Sequence, residues 1–375
     1  MPCLNEEETL GICIEKALRC FEKLGIDGEV VVGDNGSTDR SVKIAKNLGA
    51  RIITQPIKGY GAALMASIQA AKGDIIVMAD ADDSYDWSSM GPFIEKIEEG
   101  YDLVMGNRFN GEIKAGAMPF LHRYLGNPLL SIVARVFYRV PVGDFHCGMR
   151  AFTREAYEQM KLRTTGMEFA TEMVANSARR GLRIAEIPTV LYPDKRTRPP
   201  HLRSFRDGWR HLRFIMTYAP NYLYMIPGGL LFILGVALQL TLIRGAVRPF
   251  GFYMGIHFLA LGSLLSLVGF NVINLGVLAK VIVAHQHPHL KDGLVNWIAN
   301  YFTLEAWLIS GAILVLTGTG IDAALLWRWL SVGGPMADTV HLAFVATSAI
   351  ALGGNVIFSS FLLNMFIIEG REENN

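Results

Sequence analysis

The chain has 375 residues, 51% of them hydrophobic, and a formal net charge of +1. That length accommodates about two domains, and a near-neutral, apolar-rich composition excludes both a disordered tail and a protein that coats nucleic acid through bulk positive charge. Charge is unevenly spread: nearly all Asp, Glu, Lys and Arg precede Tyr218, whereas 222–368 is dominated by apolar residues. The two halves are therefore written for different solvents.

The first residues carry the polar run Asn5-Glu6-Glu7-Glu8 instead of a basic stretch followed by an apolar one. No signal peptide is expected, and the charged half should remain in the cytoplasm. Cys3, Cys13, Cys20 and Cys147 show neither CxxC nor Cys/His ligand spacing, so free thiols in a reducing compartment are expected, without structural zinc. Val30-Val31-Val32-Gly33 reads as a buried strand that empties into the polar turn Asp34-Asn35-Gly36-Ser37-Thr38-Asp39. Thr38 or Asp39 can cap a following helix. The pattern recurs in a strand at 51–54, a glycine turn at Gly59-Tyr60-Gly61, a helix near 62–71 and a strand at 74–78. Such alternation predicts a mostly parallel sheet with helices on its faces.

In open sheets of this kind ligands sit beyond the carboxyl ends of the strands. Three polar clusters fall there: Asp34 to Asp39, Asp80-Ala81-Asp82-Asp83, and Gly106-Asn107-Arg108. They are expected to converge on one crevice. Further along, the apolar half divides into about four segments of the length a bilayer demands, near 222–243, 252–283, 301–320 and 339–368. Arg196, Arg198, Arg203, Arg206, Arg210 and Arg213 crowd the approach to the first, and the loop beyond it holds only Arg244 and Arg248. The positive-inside rule then puts residues 1–215 and the loop 285–300 in the cytoplasm, with 216–375 as the membrane domain; Arg328, read as a third-loop residue, is the one charge against this. Asn271 and Asn274 within the second span suit interhelical hydrogen bonding, and His285, His287 and His289 suit an interfacial loop better than a metal site.

Asp80 and Asp82 carry the strongest chemical signal. Two carboxylates at i and i+2 after the buried run Ile75-Ile76-Val77-Met78 can hold a hard divalent cation, Mg²⁺ or Mn²⁺, and bridge it to a pyrophosphate. The close run Asp80, Asp82, Asp83 and Asp86 would repel itself without a cation. Asp82 is the first choice for direct ligand.

Across residues 2–215 the chain resembles the family-2 glycosyltransferases of the GT-A fold, in their dolichyl-phosphate-mannose-synthase-like branch. The residues that carry the likeness are Pro2-Cys3-Leu4-Asn5-Glu6 for P-x-x-N-E, Asp34 to Asp39 for D-D-G-S-x-D, Asp80-Ala81-Asp82 for the metal motif, Gly106-Asn107-Arg108, Asp144 to Arg150, and Glu168 with Glu172. The resemblance implies a Rossmann-like α/β catalytic domain followed by an α-helical membrane domain, working on a UDP- or GDP-hexose and a polyprenyl phosphate at the bilayer, with no nucleic-acid partner. It also implies that Pro2, Leu4, Glu6, Asp34 and Asn35 border the donor's base and ribose, that Asp80 and Asp82 face sugar, metal and diphosphate, and that Arg108 and Arg123 meet the acceptor phosphate. The family's R-x-x-G-x-S-K, which approaches the diphosphate, has a loose counterpart in Arg196 to Ser204, with Arg203 standing for the lysine. Departures are Asn35 for the second Asp, Tyr60 for a Lys in G-x-G, and Ser84 where a metal-binding Gln often follows. Family members also carry an apolar strand ahead of P-x-x-N-E, so a start upstream of Met1 is expected. Two other readings of the residues are a transferase with a sugar-hydroxyl acceptor, which would need a carboxylate base, and a lipid or sugar transporter with an inactive domain.

Overall fold

A computed structural model of the protein describes residues 1–138, 140–196, 204–217, 219–286, 293–332 and 339–372. The chain divides into two units, Met1–Thr217 and Tyr218–Asn375. Each solves in its own way the requirement that buried backbone groups be paired.

In the first unit the short apolar runs become strands. β1 (Pro2–Cys3), β2 (Val31–Asp34) and β3 (Arg51–Thr54) form a parallel sheet in the order β1-β2-β3, with Cys3 opposite Asp34 and Asp34 opposite Thr54. β4 (Ile75–Met78), β5 (Leu103–Ile113), β6 (Arg150–Thr153) and β7 (Ile184–Leu191) form a second sheet in the order β4-β6-β5-β7. β5 and β7 are parallel, while β6 runs antiparallel to both β4 and β5. The α/β architecture thus follows the sequence pattern except at β6, whose direction no local periodicity encodes.

Helices α1 (Leu10–Leu24), α2 (Ser41–Asn47), α3 (Tyr60–Ala70), α4 (Gly91–Glu98), α5 (Asn127–Tyr138), α6 (Arg154–Met160), α7 (Phe169–Arg179) and α8 (Ser204–Thr217) complete this unit. On α1, Leu10, Cys13, Ile14, Ala17 and Cys20 are buried along one helical face. Full burial of Leu10 and Ile14 stabilises by about 1.5–3 kcal/mol each. All four cysteines are buried and unpaired. α3 starts two residues before the expected 62–71 because Gly59 adopts φ 143, a conformation other residues avoid, and a Cβ there would lie 2.1 Å from the Thr165 carbonyl oxygen.

The second unit is helical: α9 (Ile226–Leu242), α10 (Ile256–Gln286), α11 (Gly293–Tyr301), α12 (Leu304–Val332) and α13 (Val340–Glu372). Four stretches are long and apolar enough to cross a bilayer: Asn221–Leu242, Ile256–Ala284, Leu304–Ser331 and Val340–Phe366. The third runs well past the expected 301–320. Arg328 accordingly lies inside α12, not in a loop, because Ala323-Ala324-Leu325-Leu326-Trp327 and Trp329-Leu330 continue the apolar pattern on both sides of it. The 285–300 connection contains α11, and His287 and His289 fall outside the described residues. Asn274 bonds across helices to Ser359 Oγ at 3.3 Å, and Gln239 bonds to Ser266 Oγ at 2.7 Å.

Glycines seam these helices in pairs. A Cβ at Gly235 of α9 would stand 2.2 Å from the Ser266 nitrogen of α10, and one at Gly353 of α13 would stand 2.6 Å from the Gly311 carbonyl oxygen of α12. Such close approach is how helices associate in lipid, where apolar side chains gain nothing by leaving the solvent.

α8, the last element before the spans, is tied to the core by a buried polar contact. His211 Nδ1 lies 2.8 Å from Thr171 Oγ1 on α7, and its ring meets His146 edge-on at 4.6 Å. Burial pushes the His211 pKa down to about 4, partly opposed by Asp207 and reinforced by Arg150. The neighbouring His146 is pushed down as well, first by burial and then by the charge of His211. A depressed histidine contributes stability that is present above its unfolded pKa and is lost as pH falls toward the folded value. The first thermal transition of the detergent-solubilised chain should therefore drop between pH 7 and pH 5, by about 2 kcal/mol equivalent for His211. In His211→Gln that pH-dependent drop, read by intrinsic fluorescence, should shrink.

Candidate active site

The carboxyl ends of β2 and β4 bring together the segments that the sequence singles out. The loop after β1 is laced to the loop after β2. Asn5 accepts the Thr38 backbone N–H at 2.7 Å through Oδ1, and the Glu6 and Glu7 N–H groups donate to Ser41 Oγ at 2.8 Å and Asp39 Oδ2 at 3.0 Å. Asp34, buried, accepts the N–H groups of Gly36 and Ser37 at 3.2 and 3.1 Å. The P-x-x-N-E and D-N-G-S-T-D segments thus form one folded unit. Pro2 sits in β1 opposite Gly33, and Leu4 follows it at the mouth of the loop.

Asn35 is bound into the local backbone by three hydrogen bonds. Its side chain donates to the carbonyls of Gln55 and Ile57 at 2.9 and 2.8 Å and accepts the Gly59 N–H at 2.7 Å. These bonds hold the β3–α3 loop.

The acidic segment after β4 is where charge is concentrated. Asp82 is buried; its Oδ1 accepts from Ser84 N–H at 3.0 Å and Ser84 Oγ at 2.5 Å, and its Oδ2 accepts from Arg196 Nη2 at 2.7 Å. Arg196 reaches further, through Nη1 to Glu6 Oε1 at 3.2 Å and through Nη2 to Asp194 at 3.0 Å. Asp83 pairs with Lys16 and Lys195, each at 2.7 Å. Asp86 caps the turn Trp87–Ser89 through the Ser88 N–H at 3.2 Å and lies 3.5 Å from Lys16. The acidic run is therefore neutralised from within, which corrects the expectation that it must repel itself without an added cation. The signal lay out of reach of local reading: Lys16 is 67 residues from Asp83, and Arg196 is 114 from Asp82.

Asp80 is held high in energy. Burial and then the charge of Asp82 push its pKa up to about 6, against a lowering hydrogen bond from Tyr60. Tyr60, which departs from the family's lysine, thus turns its hydroxyl to this carboxylate.

Among the described residues no cluster of three or more His, Cys, Asp or Glu is arranged to hold a metal. Asp80 and Asp82 nonetheless fit a hard cation. The Arg196 guanidinium already stands on the Asp82 carboxylate as a positive charge of the protein's own. Mg²⁺ in particular binds through one or two carboxylates and takes its other ligands from substrate phosphates and water.

Arg108 is less available than the sequence suggests. It is buried and makes a two-pronged ion pair with Asp144, from Nε at 2.6 Å and Nη2 at 2.8 Å, while its N–H also donates to Asp144 at 3.1 Å. Asp144 opens the segment Asp144 to Arg150, and Arg150, fully buried, ties that segment back by donating to the carbonyls of Cys147, Phe145 and Ala170 at 2.9, 2.8 and 2.6 Å. Arg123 lies in a π-type turn, His122–Gly126, that leads into α5, with its guanidinium 5.5 Å from the Tyr124 ring centre. Burial, then the charge of Arg108, lowers the pKa of the adjacent His122, so Arg108 acts electrostatically on this turn. Glu172 is consumed by the N–H groups of Arg163 and Thr164, at 3.1 and 2.8 Å. Glu168 Oε2 is buried with no hydrogen-bond partner. Arg203 falls outside the described residues.

Residues 1–161 match the family described as Glycosyl transferase family 2, and residues 277–367 match the Glycosyltransferase family 2 C-terminal transmembrane region. The chain is 39% identical to the low-salt glycan biosynthesis hexosyltransferase Agl6 of Haloferax volcanii, over 97% of this chain and 87% of that one. It is 34% identical to the dolichyl-phosphate hexose transferase of the same organism, over 50% of this chain and 79% of that one. A solved structure of glucosyl-3-phosphoglycerate synthase from Mycobacterium tuberculosis, in complex with Mn²⁺, UDP and glucosyl-3-phosphoglycerate, is 25% identical, with a TM-score of 0.44 over 58% of this chain and 75% of that one.

If Arg196 holds the place of a cation on Asp82, removing its charge should open that place. Arg196→Gln should bind Mn²⁺ in the absence of nucleotide about tenfold more tightly than the unaltered chain, since a charge-assisted pair no longer has to be broken first. Electron paramagnetic resonance of free Mn²⁺ during titration reads this directly. Equal affinities would mean that the guanidinium and the metal do not compete.

Proposed function

The chain belongs to glycosyltransferase family 2, and from that premise we propose that it transfers a hexose from a nucleoside diphosphate, UDP or GDP, to a polyprenyl phosphate of the undecaprenyl or dolichyl type, with inversion at the anomeric carbon. It is a multi-pass membrane enzyme with a GT-A catalytic domain. The observation that carries the proposal is the carboxylate pair Asp80 and Asp82 at the end of β4, facing the cationic Arg196, in a unit joined by its own chain to four spans. Such a site suits a diphosphate, and such an anchor suits a lipid acceptor. The likeness to a dolichyl-phosphate hexose transferase supports the same acceptor class.

A phosphate acceptor is already anionic near neutral pH, so attack needs no strong general base, and catalysis is chiefly positioning and charge neutralisation. The phosphate oxygen forms its bond to the anomeric carbon as the bond from that carbon to the diphosphate oxygen breaks on the opposite face. An α-linked donor then gives a β-linked lipid phosphosugar. A divalent cation held by Asp82 and Asp80 would stabilise the charge gathering on the leaving diphosphate. The loop unit of Pro2, Leu4, Glu6 and Asp34 binds the base and ribose, while Asn35 and Arg196 fix the loops around it. Arg123 draws in the acceptor phosphate, and Arg108, immobilised by Asp144, is a fixed positive wall behind it. The arginines approaching the first span argue for a cytoplasmic catalytic unit on the plasma membrane.

The direct test is a panel of labelled nucleotide sugars offered with undecaprenyl or dolichyl phosphate to the purified chain, with label counted in the organic extract. The proposal expects one donor to give base-stable, acid-labile lipid-linked sugar. Asp82→Asn, nearly isosteric but one charge poorer, should slow transfer at least about a hundredfold. Asp86→Asn, which keeps its cap on the Ser88 N–H, should change it little. Near-normal, EDTA-insensitive transfer by the Asp82 variant would refute the metal assignment. Arg123→Ala should raise the acceptor KM at least about tenfold, the equivalent of one charge-assisted phosphate contact of about 1.5–3 kcal/mol, and leave the donor KM nearly unchanged. Unaltered acceptor saturation would take Arg123 out of the site.

A further inference from the structure

Asn271 and Asn274 stand within one turn of each other near the middle of the span Ile256–Ala284, and the fold uses them oppositely. Asn274 turns toward α13 and donates to Ser359 Oγ at 3.3 Å. Asn271 is exposed, and no described residue hydrogen-bonds to its carboxamide.

The direction of Asn271 follows from how α10 divides its surface. Gly262 and Gly269 face α9, where a Cβ would stand 2.8 Å from Leu238 Cβ and 2.3 Å from the Phe232 nitrogen respectively. Ser263 and Asn274 face α13, Ser263 through a 2.5 Å bond to Ser348 Oγ. Leu264 and Asn271 each follow a seam glycine by two places, which turns them about 200° round the helix and away from α9. With Leu261, Val268, Leu275 and Ile282 they form an exposed row, Leu264 by 57% and Leu275 by 56%.

The one polar member of the row indicates what covers it. Leucine and valine lose nothing among acyl chains. A carboxamide there finds no partner for its two N–H donors or its carbonyl oxygen, and that costs free energy. A second copy of the chain supplies the partner. All copies cross the bilayer in one orientation, so α10 would meet α10 in parallel and Asn271 would meet Asn271 at one depth. The carboxamide is complementary to itself, because each N–H can donate to the other's carbonyl oxygen. From Leu261 to Leu275 the row steps by three, four, three and four. That spacing holds side chains against a parallel partner at a left-handed crossing, and a single Asn within it fixes the register.

We propose that α10 is a self-association surface, and that two copies of the chain pair within the bilayer through the Leu261–Ile282 row, with their Asn271 carboxamides hydrogen-bonded to each other. The inference needs only that α10 spans a membrane and stands whatever the donor and acceptor are.

The test counts chains in the membrane. The full chain, with one dye on Glu22→Cys of α1, is reconstituted into phosphatidylcholine vesicles in large lipid excess, and photobleaching steps are counted in each vesicle. Glu22 is exposed, and the four native thiols are buried and should label little. Two steps should predominate. Asn271→Leu should weaken association about tenfold and move the counts toward single steps, while Asn271→Gln, which keeps the carboxamide, should stay near the unaltered chain. Equal melting of the Leu and Gln variants shows that the loss is not one of folding. Without the dye, Leu264→Cys and Leu275→Cys should each form disulfides between chains under copper-phenanthroline, and Leu316→Cys, exposed on α12, should not. Single steps for the unaltered chain would overturn the proposal in favour of a lipid-covered row. Two-step counts unmoved by Asn271→Leu, or cross-linking at Leu316 in place of Leu264, would overturn it by putting the pairing elsewhere.

Discussion

The contact between Arg196 and the Asp82 carboxylate, 2.7 Å long and mostly shielded from water, is the interaction around which the catalytic unit is organised. Carboxylates at the end of a strand are costly to bury unless a positive charge meets them. The fold meets them from three places: Lys16 on α1, Lys195 and Arg196 beyond β7, and a hydroxyl from Tyr60 at the start of α3. These contacts also fix the elements relative to one another, because Arg196 joins Glu6 after β1 to Asp82 after β4. Asp80, buried and beside Asp82, carries an unfavourable charge that Tyr60 partly relieves. Under the proposed function, that carboxylate is where an added cation would relieve the charge.

A second balanced pair, Arg108 with Asp144, plays the complementary part on the other side of the acidic segment. Its geometry is bidentate and buried, so the guanidinium is rigid and its charge is directed through structure and not through mobile contact. The segment that supplies Asp144 is itself pinned by Arg150 to three carbonyls. Positive charge near the turn of Arg123 is thus built into the frame.

Much of this was legible in the sequence because it depends on local order. Alternating apolar runs and polar turns specify strands and the loops at their ends, and long apolar stretches specify spans, each by a periodicity a few residues wide. The motifs at Asp34 and Asp80 could be read as a group because both lie at the carboxyl ends of strands. Long-range pairing was not legible. Nothing near Lys16 announces Asp83, nothing near Arg108 announces Asp144, and nothing near Asn35 announces the backbone of residues 55–59. The direction of β6 likewise depends on its sheet neighbours and not on local composition.

The glycine seams of the membrane unit constrain where the isoprenoid tail of the proposed acceptor could run. Between α9 and α10, and between α12 and α13, the backbones come so close that even a methyl group at Gly235 or Gly353 would overlap main-chain atoms. No lipid tail fits into a gap that excludes a methyl group. The tail of the proposed acceptor, a hydrophobic chain tens of ångströms long, would therefore run outside these two seams, and tolerance for its length would be set by open surface instead of by an enclosed tunnel within either pair.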